Sequence, residues 1–69
     1  MHSATEFLLQ FFSFEHLHPK LQPTVQEFSK LAHQVAMGPE NPETTRAIED
    51  LIAAKDHACR AIVADGGLK

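Results

Sequence analysis

Apolar residues recur at helical spacing in three separate stretches of the chain. In the first, Phe7, Leu8, Phe11 and Phe12 fall on one helix face and Phe14 follows. Ser3-Ala4-Thr5-Glu6 just before them matches an S-x-x-E capping box, in which a hydroxyl and a carboxylate satisfy free backbone amides at a helix start. The pattern predicts a short helix over residues 4–13. A helix of this length does not persist alone in water, so it must dock by its Phe face.

Residues 15–20 read as a connector, because Pro19 biases His18 away from helical backbone. The second stretch carries Leu21, Val25, Phe28, Ala32 and Val35 at alternating intervals of four and three, widened by Leu31 and Ala36. It predicts a helix over 21–37, with Pro19 or Pro23 tolerated in its first turn. Gly38 then suits a left-handed residue after the helix end. Asn41 followed by Pro42 suits the cap and first position of another helix. That third helix is predicted over 42–64, about 34 Å long at 1.5 Å per residue. Asp65-Gly66-Gly67 closes it.

The connection between the last two helices is short, which folds them back as an antiparallel hairpin. The long helix has two apolar stripes. Ile48, Ile52, Cys59 and Ile62 form one, interrupted by Lys55; Ala47, Leu51, Ala54, Ala58 and Ala61 form the other. One hairpin partner does not cover both, so the second stripe is expected to face another subunit. Asp56 and Arg60 are expected to pair at i,i+4 on the remaining face. The predicted fold is therefore all-α: one domain over 1–69, a two-helix hairpin with a short N-terminal helix, assembling into a homo-oligomer.

Composition reinforces self-association. With 69 residues the chain is at the size where a single core is marginal, and its one cysteine, Cys59, allows no intrachain disulfide. A lone thiol fits a reducing compartment. No basic region precedes the apolar stretch 7–14, which Glu6 and Gln10 interrupt, so it does not read as a secretory signal. No apolar run approaches the roughly 20 residues that span a bilayer. These features predict a cytoplasmic protein without a membrane partner. The net charge of −3 and the scattered Lys and Arg give no basic stripe for a DNA or RNA polymer.

Little in the chain suggests catalysis or a cofactor. Cys59 and His57 are two apart on a helix and point to different sides. His16-x-His18 lacks a second ligand pair for a metal site. Lys55 among apolar residues reads first as a side chain that buries its stem and leads its ammonium to water, and second as a charge partner for an acid across an interface. The Phe cluster reads as core or interface filler, or as a platform on which Phe14 stacks a nucleobase. Thr44, Thr45 and Arg46 stand at a helix start, where free N–H groups attract phosphate, although Glu43 already complements the dipole there.

Several short motifs together resemble a known family. Phe14-Glu15-His16-Leu17, Leu31-Ala32, the run Asn41-Pro42-Glu43-Thr44-Thr45-Arg46-Ala47-Ile48, and Ala54-Lys55-Asp56 are similar to the small helical-hairpin proteins of bacteriophages. That group includes the anti-CBASS and anti-Thoeris sponge proteins. The similarity extends over about residues 11–63. It implies a non-enzymatic oligomer, typically a hexamer, that sequesters the cyclic oligonucleotide signals of bacterial immunity in the host cytoplasm. Cyclic dinucleotides would sit between subunits, with an aromatic ring on a base and a cation near phosphate; some members hold cyclic trinucleotides at separate sites. By this resemblance Phe14 is the stacking ring, where relatives often carry Tyr, and His16 lies in the same motif. Thr45 is the hydroxyl residue at the start of the long helix, beside Arg46. Gln26 stands where relatives often carry a basic residue, with Lys30 the nearest cation one turn on. Thr44 stands where a longer residue is common. The alternative to this reading is a protein–protein interaction module that docks a partner helix on its exposed apolar stripe.

Overall fold

The helices begin and end where local chemistry sets their boundaries. In the computed structural model, which describes residues 3–66 with the Ser3 side chain excepted, they are α1 (Ser3–Leu9), α2 (Gln22–Ala36) and α3 (Pro42–Ala64). Among the described residues there is no strand. The Ser3 side chain of the expected capping box and Gly67 of the expected helix stop lie outside them.

The first helix does not stay α-helical to Ser13. It tightens into a 3-10 turn over Gln10–Phe12, and Ser13 turns extended with φ −63° and ψ 138°. A 3-10 turn is a common way to end an α-helix. This one delivers Phe12 into the interior, where it is buried. The segment that follows is ordered by turns: Leu17 N–H donates to Phe14 O at 3.0 Å, and Leu21 N–H to His18 O at 2.8 Å.

Pro23 lies in the first turn of α2, where its missing N–H costs no intrahelical bond. The end of α2 differs from expectation. Gly38 does not take a left-handed conformation; among the described residues the positive φ belongs to Gly66, at 76°. Instead Met37 and Gly38 keep tight turns, and Gly38 N–H donates to Val35 O at 3.0 Å. A Cβ at position 38 would stand 3.2 Å from that same carbonyl. Glycine here relieves a close approach and does not supply handedness. The left-handed role falls to Gly66, just past the cap of α3, whose N–H reaches Val63 O at 3.0 Å.

The start of α3 is capped by Asn41, whose side chain accepts from Thr44 N–H at 3.1 Å. Pro42 follows at the first helical position. At 23 residues α3 spans most of a molecule measuring 41 × 19 × 15 Å. Both α1 and α2 pack on it, and α2 does so most extensively.

The interior is small. Phe12, Ala32, Ala36 and Ile48 form one buried cluster, with Leu8, Leu9, Phe28, Val35, Leu51 and Ile52 packed around it. Leu51 and Ile52 come from the two different stripes of α3. Residues of both stripes therefore pack against the one core cluster. Exposed apolar positions on these two helices include Ala53, Ala54, Ala61, Val63 and Ala64 on α3 and Leu31 on α2. No helix of the described residues is long and apolar enough to cross a membrane.

Ile48→Ala is expected to lower stability by about 2–5 kcal/mol, because the buried side chain leaves a cavity between three packed elements. That is a large share of the roughly 3–10 kcal/mol available to a chain of this length. Urea denaturation followed by circular dichroism measures it; a loss well under 1 kcal/mol would place Ile48 outside the stabilising core.

Candidate functional site

Four of the candidate site residues, Phe14, His16, Thr45 and Arg46, line three different hollows. The largest, about 570 Å³, lies at the start of α3 and is lined by Thr45 and Arg46 together with Thr5, Asn41, Glu40 and Glu49. A second, about 330 Å³, holds His16 beside Lys55, Asp56 and Cys59. The third, about 210 Å³, holds Phe14 with Phe12, Ser29 and His33. Helical adjacency brings Thr45 and Arg46 together. Phe14 and His16, two residues apart, face different hollows. Gln26, Lys30 and Thr44 line none of these three; the first two are exposed on α2.

Thr44 is engaged within the turn. Its N–H is held by Asn41, and its hydroxyl donates to Pro39 O with Asn41 Oδ1 also in reach at 3.4 Å. A side chain so held closes the 37–41 connection onto the helix it precedes. Thr45, one position on, is half-buried in the hollow wall.

The cations are arranged unequally. Lys30 pairs with Glu27 at 3.3 Å in the open, an arrangement that contributes little because water screens it. Arg46 is exposed and makes no ion pair among the described residues. Acids nonetheless surround it: Glu43 and Glu49 lie three residues before and after it, and Asp50 four after. The hollow thus offers one guanidinium within a negative setting.

Lys55 follows neither expectation in full. Its side chain is 14% exposed, and its ammonium meets Asp56, the next residue, at 2.9 Å. It also lies 5.9 Å from the centre of the Phe12 ring, within the range of a cation–π contact. Asp56 consequently turns to Lys55 and not to Arg60, because the half-buried ammonium is the cation that most needs a counter-charge.

The aromatic residues divide by depth. Phe12 is core and Phe14 is half-buried, whereas Phe7 and Phe11 are 62% and 45% exposed. Those two sit edge to face, centroids 5.7 Å apart at 79°. His33, beside Phe14, donates from Nδ1 to Ser29 O at 2.8 Å, since a carbonyl only accepts. Among the described residues no group of three or more His, Cys, Asp or Glu is placed to hold a metal ion.

Sequence reasoning missed Thr5, Ser29 and His33 as neighbours of the candidate residues. Thr5 is buried although polar, and it joins the Arg46 hollow from another helix. No local pattern announces such a contact. No family model, curated protein or solved structure matches the chain.

Thr44→Val is expected to cost about 0.5–1.5 kcal/mol of stability, the ordinary worth of a hydrogen bond. Thr45→Val should cost less, since no turn carbonyl depends on that hydroxyl. Thermal denaturation of both variants checks the order, and the reverse order would remove Thr44 from its holding role.

Proposed function

We propose that this chain is a sponge for cyclic oligonucleotide second messengers of bacterial antiviral defence. It binds them without cleaving them, in the cytoplasm of a phage-infected host. The helices α2 and α3 form an antiparallel hairpin, joined by a connection of only five residues, 37–41. The hairpins assemble into a homo-oligomer, a hexamer in the family that the motifs resemble.

The observation that carries this reading is the separation of Phe14 from Thr45 and Arg46. Base stacking and phosphate contact need both groups on one ligand, yet they line hollows that share no residue. The Phe14 hollow, at about 210 Å³, is also smaller than the roughly 300–1,000 Å³ of ordinary ligand pockets. A second copy bringing its Arg46 end to Phe14 of the first would complete the site. Self-association has independent support. Among the described residues the largest fully buried side chains are Phe12, Val25 and Ile48, while Phe7, Phe11, Leu31, Met37 and Val63 stay exposed. A chain this short ordinarily needs a further source of stability.

In this arrangement Phe14 stacks on a base, with His16 on the same turn. Arg46 meets phosphate, Thr45 donates a hydrogen bond, and Gln26 and Lys30 supply polar contacts from the neighbouring face of α2. The acids around Arg46 weaken its pull on an anion, so stacking carries more of the affinity than charge does.

A second reading, a protein–protein interaction module, is favoured by the exposed Phe7–Phe11 pair. It predicts a monomer that oligomerises only with a partner helix. Sedimentation of the purified protein separates the two.

Calorimetric titration with cyclic di-AMP, cyclic di-GMP, cyclic GMP–AMP and cyclic triadenylate is the direct test. Binding by an oligomer is expected, and failure of a folded oligomer to bind any of the four would overturn the proposal. Phe14→Ala should weaken binding by about 1–3 kcal/mol, the worth of one base–aromatic stack. An unchanged affinity would take Phe14 out of the site.

A further inference from the structure

The segment that presents Phe14 and His16 is not helical, and its shape needs a cause. Residues 14–17 form a turn closed by the bond from Leu17 N–H to Phe14 O. Two carbonyls in this turn, those of Glu15 and Leu17, point away from any helix ladder. Both are met by one side chain. Gln22, half-buried in the first turn of α2, donates from Nε2 to Leu17 O at 2.9 Å and to Glu15 O at 3.4 Å. A primary amide carries two N–H groups on one nitrogen, so it can serve both acceptors at once.

The structure assigns Gln22 as a positioning residue: its side-chain amide clamps the 14–17 turn to α2 and thereby sets the Phe14 ring and the His16 imidazole. The clamp spans seven residues of sequence and joins the turn to a rigid element. Two further bonds, just after the turn, are local. Lys20 N–H donates to His18 Nδ1 at 3.1 Å and Leu21 N–H to His18 O, and these order only residues 18–21. Without the Gln22 amide the turn keeps a single internal bond and loses its tether. The turn can then shift against α2, and the Phe14 ring is left to the restraint of its packing beside Phe12, Ser29 and His33.

The functional part of this inference rests on the ligand reading above; the clamp itself does not. Gln22→Met keeps length and helix propensity but has no donor, whereas Gln22→Lys restores a donor that can reach both carbonyls. If cyclic GMP–AMP binds the wild type, Gln22→Met should weaken it about tenfold, as for one or two lost hydrogen bonds that hold the bound shape. Gln22→Lys should recover most of that loss, and both variants should keep wild-type helicity and subunit number. Equal affinity of wild type and Gln22→Met would overturn the positioning role while leaving the ligand reading in place.

If none of the cyclic nucleotides binds the wild type, the ligand reading fails and the clamp is still read by amide exchange. The Leu17 N–H should exchange faster in Gln22→Met and return toward the wild-type rate in Gln22→Lys; no change would overturn the clamp. Should Gln22→Met fail to fold, the unmodified protein suffices. Its Gln22 side-chain amide protons should exchange more slowly than those of the exposed Gln26 and Gln34, and equal rates would overturn the assignment.

Discussion

One packing arrangement holds the molecule together: Ile48 of α3 meets the alanine face of α2 and is sealed by Phe12. Ala32 and Ala36 carry almost no side-chain bulk, so α2 and α3 can approach closely and Ile48 fills the space between them. Phe12 enters this space from the 3-10 turn that ends the N-terminal helix. The same ring then lies below the Lys55 ammonium, which the neighbouring Asp56 neutralises. Each of these features depends on the one before it. Among the described residues Val25 is the other large side chain that is fully buried, so the fold has little reserve if this cluster is disturbed.

The parts of this fold legible in the sequence are those with a local cause. Asn41-Pro42 marks the start of α3 because a side-chain cap and a fixed φ act within one turn. Pro23 likewise marks the first turn of α2. Gly38 misleads for an instructive reason. A glycine after a helix usually signals left-handed backbone, but here it signals proximity to Val35 O, and sequence alone does not separate these two uses. The expected pair of Asp56 and Arg60 fails on a tertiary ground. Spacing predicts which charges can meet on a bare helix; it does not predict that Phe12 will cover Lys55 and raise its need for Asp56.

The candidate site was legible to the same extent and for the same reason. Thr45 and Arg46 are neighbours on one helix, so their shared hollow follows from the chain. Thr5 enters that hollow from α1, and Ser29 and His33 approach Phe14 from α2; both contacts come from packing between elements. Gln22 had no signal at all. A glutamine at a helix start reads as a polar surface residue, and only the placement of the Glu15 and Leu17 carbonyls gives its amide a task.

The charge distribution bears on how a site in this protein would work. A protein of net charge −3 that bound an anionic ligand would have no long-range attraction to draw on. Its most available cation, Arg46, has acids at three neighbouring helical positions, and Lys30 is engaged by Glu27. Recognition dominated by phosphate contact is therefore a poor match to this surface. Recognition by a fixed aromatic face is a better one, because stacking is insensitive to the surrounding charge and gains from rigidity. That places the physical weight on the orientation of one ring, and so on the backbone turn beneath it. In the proposed assembly the turn has to hold Phe14 still while a second copy closes over it. A flexible presentation would add an ordering cost to an interaction that already lacks electrostatic help. In that assembly the demand for rigidity at 14–17 follows from the weakness of the cationic side, and the proposed tether from α2 to this turn would meet it.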